Sequence, residues 1–186
     1  DCFTKPIISL INGTIAGAAL GIALHGTHRV AQENFTLAVP EVSLGMVPQA
    51  GLSYRLARLP DYAGIYLALT GRSLGRADAL AYGLVTHSID NRHSHDIQRQ
   101  LADAQPVDPL LDTLHRDPGP RDLDYFAPVI SRCFSAGSVD EILVRLFRER
   151  GQSQLWAEAV QRDISRHSPL ALKATHRLLR DCAALD

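Results

Sequence analysis

Apolar residues in the first half of the chain come in short bursts broken by glycine, proline and polar turns. That pattern predicts short strands alternating with helices. Residues 7–11 form an apolar run bounded by Pro6 and Asn12-Gly13, as a buried strand would be. Residues 16–24 are rich in Ala and Leu and predict a helix, with Gly17 and Gly21 allowing close packing at some cost in helix stability. Residues 28–31 and 35–39 read as strands around the polar turn Gln32-Glu33-Asn34, and Pro40 holds Val39 extended. Helical periodicity follows over 51–59 and 61–69, separated by Pro60, and again over 76–82, ended by Gly83. Residues 84–89 then predict one more strand.

From 90 to 124 the chain is polar and carries Pro106, Pro109, Pro118 and Pro120, which predicts a linker with short helices over 96–104 and 109–115. The last third is helical. Ser138-Val139-Asp140-Glu141 is a capping box opening a helix that runs toward Gly151. A second helix over 154–166 is expected to bury Leu155, Trp156, Ala159, Val160 and Ile164. Ser168-Pro169 starts a third, with Leu172, Leu178, Leu179 and Cys182 as its apolar positions. There is no internal sequence repeat. An α/β order followed by helices alone suits a layered core with a helical annex: 1–90, a connecting stretch 91–125, and 126–186.

With 186 residues, 46% of them hydrophobic, the chain can bury one core. A net charge of −1 supplies no basic field for nucleic acid and no steering toward a membrane, and no apolar run approaches the roughly 20 residues a bilayer span needs. Cys2, Cys133 and Cys182 are odd in number and far apart, so neither a disulfide framework nor a zinc site is suggested.

Candidate chemistry concentrates between Asn12 and Gly51. The run Gly17-Ala18-Ala19 opens a helix straight after a strand, where small residues let a ligand reach backbone N–H groups; close helix-on-strand packing accounts for it equally well. Glu41 is a lone carboxylate among Val39, Val42 and Leu44, surroundings that raise a carboxyl pKa and suit it to proton transfer or nucleophilic attack; capping the following turn is the alternative. Together they suggest an acyl-transfer site. His25 and His28 read as polar caps of a helix end sharing one face, with no third ligand for a metal. His93-Ser94-His95 reads as a solvated loop, and Arg55 and Arg58 as a solvated helix face that could also meet phosphates.

Lys5-Pro6-Ile7-Ile8 leading into Asn12-Gly13, the small-residue turn, and Pro40-Glu41-Val42-x-Leu44-Gly45 resemble the crotonase (enoyl-CoA hydratase/isomerase) superfamily. Within it the chain is most similar to 3-hydroxyisobutyryl-CoA hydrolases. Hydratases carry glutamate at the position of Gly21, where the hydrolases carry glycine. His25-Gly26 before His28-Arg29-Val30 fits the hydrolase pattern, as do Ser135-Ala136, Ser138 to Ile142, and Ser168-Pro169-Leu170-Ala171-Leu172-Lys173. The resemblance covers most of the chain and is weakest over 91–125.

It implies a crotonase-like α/β fold, a stacked β-β-α superhelix with a helical C-terminal region, and hydrolysis of a short 3-hydroxyacyl-CoA thioester in valine breakdown. Enoyl-CoA hydration or isomerisation, and an acyl-CoA-binding or assembly subunit without catalysis, are the alternatives. By resemblance Glu41 is the catalytic carboxylate, and Gly17-Ala18 contributes a backbone N–H to the oxyanion hole, Ala18 standing where glycine is usual. The hydrolases place aspartate where this chain has Gln49, so activity at this site is weakened, redirected or absent. No metal or redox cofactor is implied, since coenzyme A belongs to the substrate. A homo-oligomer is compatible with the pattern, in the cytoplasm of a bacterium or the mitochondrial matrix of a eukaryote. The pattern also places residues before Asp1 and after Asp186, including a second oxyanion donor, so the chain reads as a piece of a longer protein.

Overall fold

Short parallel strands organise the first half of the computed structural model, which describes residues 4–185. β1 (Ile8–Ile11) pairs in parallel with β3 (His28–Ala31), and β3 with β6 (His87–Ser88), making one three-stranded sheet. β2 (Thr14–Ala16) pairs in parallel with β4 (Thr36–Ala38), which pairs antiparallel with β5 (Ser73–Gly75), making a second. Gly13, at φ 104°, turns the chain from the first sheet to the second between β1 and β2. β1, β2 and α1 (Ala18–Ala23) form one unit; β3, β4, a 3₁₀ turn (Glu41–Leu44) and α2 (Leu52–Ala57) form the next, stacked on it. This is the stacked β-β-α arrangement expected. β1 and β2 are edge strands of their sheets, with Ile22 of α1 exposed beside them.

α3 (Ala63–Thr70) lies at the centre of the protein, and all eight of its residues are buried. It packs against α2, α7 (Ala127–Phe134), α9 (Gln154–Ser165) and α10 (Pro169–Ala183). Between it and α9, Trp156 stacks on Phe126 and Tyr66, with ring centroids 4.8 and 5.8 Å away. At α8 (Val139–Arg148) the Ser138 hydroxyl accepts from the Glu141 N–H as expected, while the Glu141 carboxylate reaches back to the Gly137 N–H, not to that of Ser138. α4 (Arg76–Ala81) precedes β6. α5 (Ser94–Ala102) and α6 (Val107–Leu114) cover the β1-β3-β6 sheet through Ile97 and Leu111 against Val30 and Ile89.

α6 is tied to that sheet by a repeated Thr-His pair. Thr27 Oγ accepts from the Ile7 N–H and donates to the Ile7 carbonyl, and Thr86 does the same with Arg29 on β3. The histidine after each threonine reaches one carboxylate on α6: His28 Nε2 donates to Asp108 (2.9 Å) and His87 Nε2 to Asp112 (3.1 Å). Aspartates four residues apart lie on one helix face, so a single helix closes both strand ends.

Several expectations change. The helix expected from residue 16 begins at Ala18, and 14–16 form β2 instead. The strand over 84–89 contracts to His87–Ser88, because the Leu84 and Val85 N–H groups donate to Ala79 and close α4, so ladder bonding starts at Thr86. β5 was not expected; three residues are too few for periodicity, and only pairing with β4 makes them a strand. Leu155 is 78% exposed rather than core, while Ala157, Val160 and Ile164 form the buried stripe of α9.

Gly64 sets the approach of α3 to α2: a Cβ there would lie 1.8 Å from the Leu56 carbonyl oxygen. Backbone cannot swing aside as a side chain can, so Gly64→Ala is expected to cost about 3 kcal/mol, the upper end for overpacking. Urea unfolding of the two proteins checks this; a loss under about 1 kcal/mol would show that the contact relaxes cheaply.

Candidate active site

The register of β2 with β4 brings the two candidate groups to one sheet end. Ala16 lies opposite Ala38 on parallel neighbours, so Gly17-Ala18 and Pro40-Glu41 leave the same carboxyl-terminal edge, from strands about 4.8 Å apart. Gly17 has φ 60° and ψ −138°, a conformation open to glycine and strained for other residues, and it turns β2 directly into α1. Ala18 is exposed, and as the first residue of α1 its N–H has no acceptor within the helix. The backbone there can serve as a donor to a ligand.

Glu41 heads the 3₁₀ turn, which ends at Gly45 in the left-handed region. The Met46 N–H donates to the Glu41 carbonyl at 2.9 Å, fixing the turn. The residue is only 5% exposed, and its Oε2 has no hydrogen-bond partner among the described residues. Burial raises the carboxyl above its ordinary value, partly offset by its own backbone N–H. A capping role would occupy the carboxylate with following N–H groups, whereas here one oxygen is held back. Such a group is suited to taking a proton or attacking a carbonyl carbon.

Gln49 is exposed on the loop after that turn, and its carbonyl accepts from the Leu52 N–H. The loop is clamped onto α1 at Ala50. His25 Nε2 donates to the Ala50 carbonyl at 3.0 Å, and a Cβ on Gly21 would stand 2.2 Å from that of Ala50. Gly21 is therefore glycine because helix and loop touch there, and no side chain fits without moving the loop.

His25 and His28 do not share a helix face: His25 clamps the loop, while His28 begins β3 and binds Asp108. Sequence reading missed the clamp, because its partner is a backbone carbonyl 25 residues away. His93 ends a 3₁₀ turn and Ser94-His95 start α5, so these residues are not a loop. Arg58 is not solvated freely either; it donates to the Cys182 carbonyl of α10 and stacks on the Tyr54 ring at 3.3 Å. Among the described residues no group of three or more His, Cys, Asp or Glu side chains is placed to hold a metal ion. No helix among the described residues is long and apolar enough to cross a membrane.

Fold and site together define a crotonase-like α/β protein with a buried carboxylate at the strand end. A sequence model of the enoyl-CoA hydratase/isomerase family matches residues 1–186, and the chain belongs to that family. A probable 3-hydroxyisobutyryl-CoA hydrolase of Arabidopsis thaliana is 36% identical, over 96% of this chain and 50% of its own. The small ribosomal subunit protein mS47 of the same plant is 34% identical, over 96% and 46%. A carnitinyl-CoA dehydratase of Mycobacterium thermoresistibile superposes with a TM-score of 0.90 at 29% identity, over 98% of this chain and 53% of its own. The chain spans about half the length of the curated relatives it matches.

Burial of Glu41 has a stability consequence with a definite sign. A carboxyl raised in the folded state binds its proton more readily there than when unfolded. Glu41 therefore stabilises fully below the unfolded carboxylate range, and that contribution is lost as pH rises through the raised value. Glu41→Gln keeps the shape and removes the charge. Calorimetry should show its Tm above the parent's at pH 8, with the gap narrowing toward pH 4; a gap independent of pH would mean the carboxylate carries no burial penalty.

Proposed function

We propose that this chain carries the catalytic carboxylate of a CoA-thioester hydrolase acting on a short 3-hydroxyacyl-CoA, 3-hydroxyisobutyryl-CoA being the first substrate to test. The observation that carries this reading is Glu41: buried, with one oxygen unpartnered, at the strand end it shares with the Gly17-Ala18 turn. The Ala18 N–H would donate to the thioester carbonyl oxygen as negative charge develops on it, the role of an oxyanion-hole donor. Glu41 would either attack the carbonyl carbon or take a proton from water that attacks it. On both routes the C–S bond breaks and coenzyme A leaves as the thiol; direct attack leaves a mixed anhydride on Glu41 that a water then hydrolyses, and either way the free acid forms and Glu41 is regenerated. The residues proposed for this step need no metal or redox cofactor.

Gly21 favours hydrolysis over hydration. Hydration by the two-carboxylate pattern needs a second acid at that position, where the contact with Ala50 leaves no room. Valine breakdown would be the setting, in the mitochondrial matrix of a eukaryote or the cytoplasm of a bacterium.

The protein is expected to release free thiol from 3-hydroxyisobutyryl-CoA, read with a thiol reagent, and to hydrate crotonyl-CoA poorly. Glu41→Gln should lower turnover by about 100-fold or more, the lower range for a general base. Near-normal turnover in that variant would remove Glu41 from the chemistry.

Gln49 supports a second, non-catalytic reading, an acyl-CoA-binding or assembly subunit, since an amide cannot transfer a proton at neutral pH. Gln49→Asp separates the two. A functioning Glu41 should gain about tenfold in hydrolysis from a second acid, roughly 1.4 kcal/mol of barrier, together with a new limb in the pH-rate profile. Coenzyme A binding without turnover in both parent and variant would favour the subunit reading.

A further inference from the structure

A cavity of about 400 Å³ opens between α2 and the turn joining α4 to β6, lined by His25, Tyr54, Arg55, Arg58, Tyr82 and Leu84 among others. No carboxylate lines it among the described residues. Several arginines elsewhere pair with acids, as in Arg72 with Asp163, Arg132 with Glu149 and Arg145 with Glu141. Here they do not. The Arg29 guanidinium, behind the cavity wall, donates to the carbonyls of Leu84, Gly26 and Gly83. Arg58 donates to the carbonyls of Tyr54, Cys182 and Leu185. The half-buried Arg55 guanidinium makes no hydrogen bond or ion pair with any described residue. It lies near enough to Arg29 for its charge to disfavour the charged form of that neighbour.

Arg55 and Arg58 face one cavity in which no described residue supplies a counter-charge, with Arg29 close behind Arg55, and an anion bound there would relieve the cost of holding the charges so near each other. We infer that this cavity is a binding site for a small oxyanion, a carboxylate or phosphate, joined to an apolar group. Arg55 supplies the unused planar donor fork, which matches either oxyanion. The Tyr54 and Tyr82 hydroxyls have no protein partner among the described residues, and Leu59 and Leu84 give the apolar part a wall. Because His25 Nε2 is committed to the Ala50 carbonyl, Nδ1 is the atom left to meet the ligand, as a donor once protonated. The same ring thus touches the ligand and clamps the loop that carries Gln49.

Isothermal titration calorimetry of the protein with phenyl phosphate, inorganic phosphate and benzoate, at ionic strength fixed with sodium chloride, tests the site. Saturable one-to-one binding is expected, with phenyl phosphate tighter than inorganic phosphate. A tighter fit for phenyl phosphate than for benzoate assigns a phosphate ester, and the reverse order a carboxylate. Arg55→Gln should weaken binding at least tenfold and Arg55→Lys less. Saturation should shift the His25 imidazole resonances. Absence of saturable binding, or equal affinity in parent and folded Arg55→Gln, would overturn the assignment. If Arg55→Gln does not fold, Tyr82→Phe and the His25 resonances decide in its place: unchanged affinity with unmoved resonances would sink the idea.

Discussion

The parallel register of β2 against β4 is the constraint on which the site depends. Three ladder pairs, Thr14 with Thr36, Ile15 with Leu37 and Ala16 with Ala38, fix where both strands stop. A slip of one residue would reverse which side chains face the core and separate the Gly17-Ala18 turn from Glu41. Neither strand is long enough to hold that register alone. Ile15 and Leu37 are buried in the main core cluster, so burial on the inner face enforces the pairing.

Placing Glu41 there works against stability. A carboxyl with a buried, unpartnered oxygen is disfavoured in its charged form, the same property that makes it reactive. The surrounding turn keeps it in place by backbone means, with Gly45 closing the 3₁₀ turn and the Met46 N–H bound to the Glu41 carbonyl. No salt bridge neutralises Glu41 among the described residues, and an ion pair would have lowered its pKa and spoiled it as a base.

The contacts of Ala50 join the two halves of the site. Gly21 on α1 admits it, His25 holds its carbonyl, and Gln49 precedes it on the loop. Ala50 has φ 52°, a conformation that few non-glycine residues adopt, and the contacts on both sides hold it there. The arginine cavity shares His25 with this clamp, so the anion site and the Gln49 loop have one side chain in common.

Some of this was legible along the chain because it is local. Apolar runs next to Asn12-Gly13 and Pro40 marked strands, Ser138 and Glu141 marked a helix start, and Glu41 stood out as a lone acid among apolar neighbours. Local sequence determines such features because caps, turns and periodicity act within a few residues. The β-β-α repetition was invisible as a sequence repeat, since strands of three or four residues repeat a geometry and not a set of side chains. Tertiary structure alone decided that 73–75 is a strand, that Leu155 faces outward, and that Gly21 is glycine because of Ala50. It also decided that Arg55 has no acid beside it among the described residues. Each of these depends on what lies opposite in space, and the partner is set by how the whole chain packs.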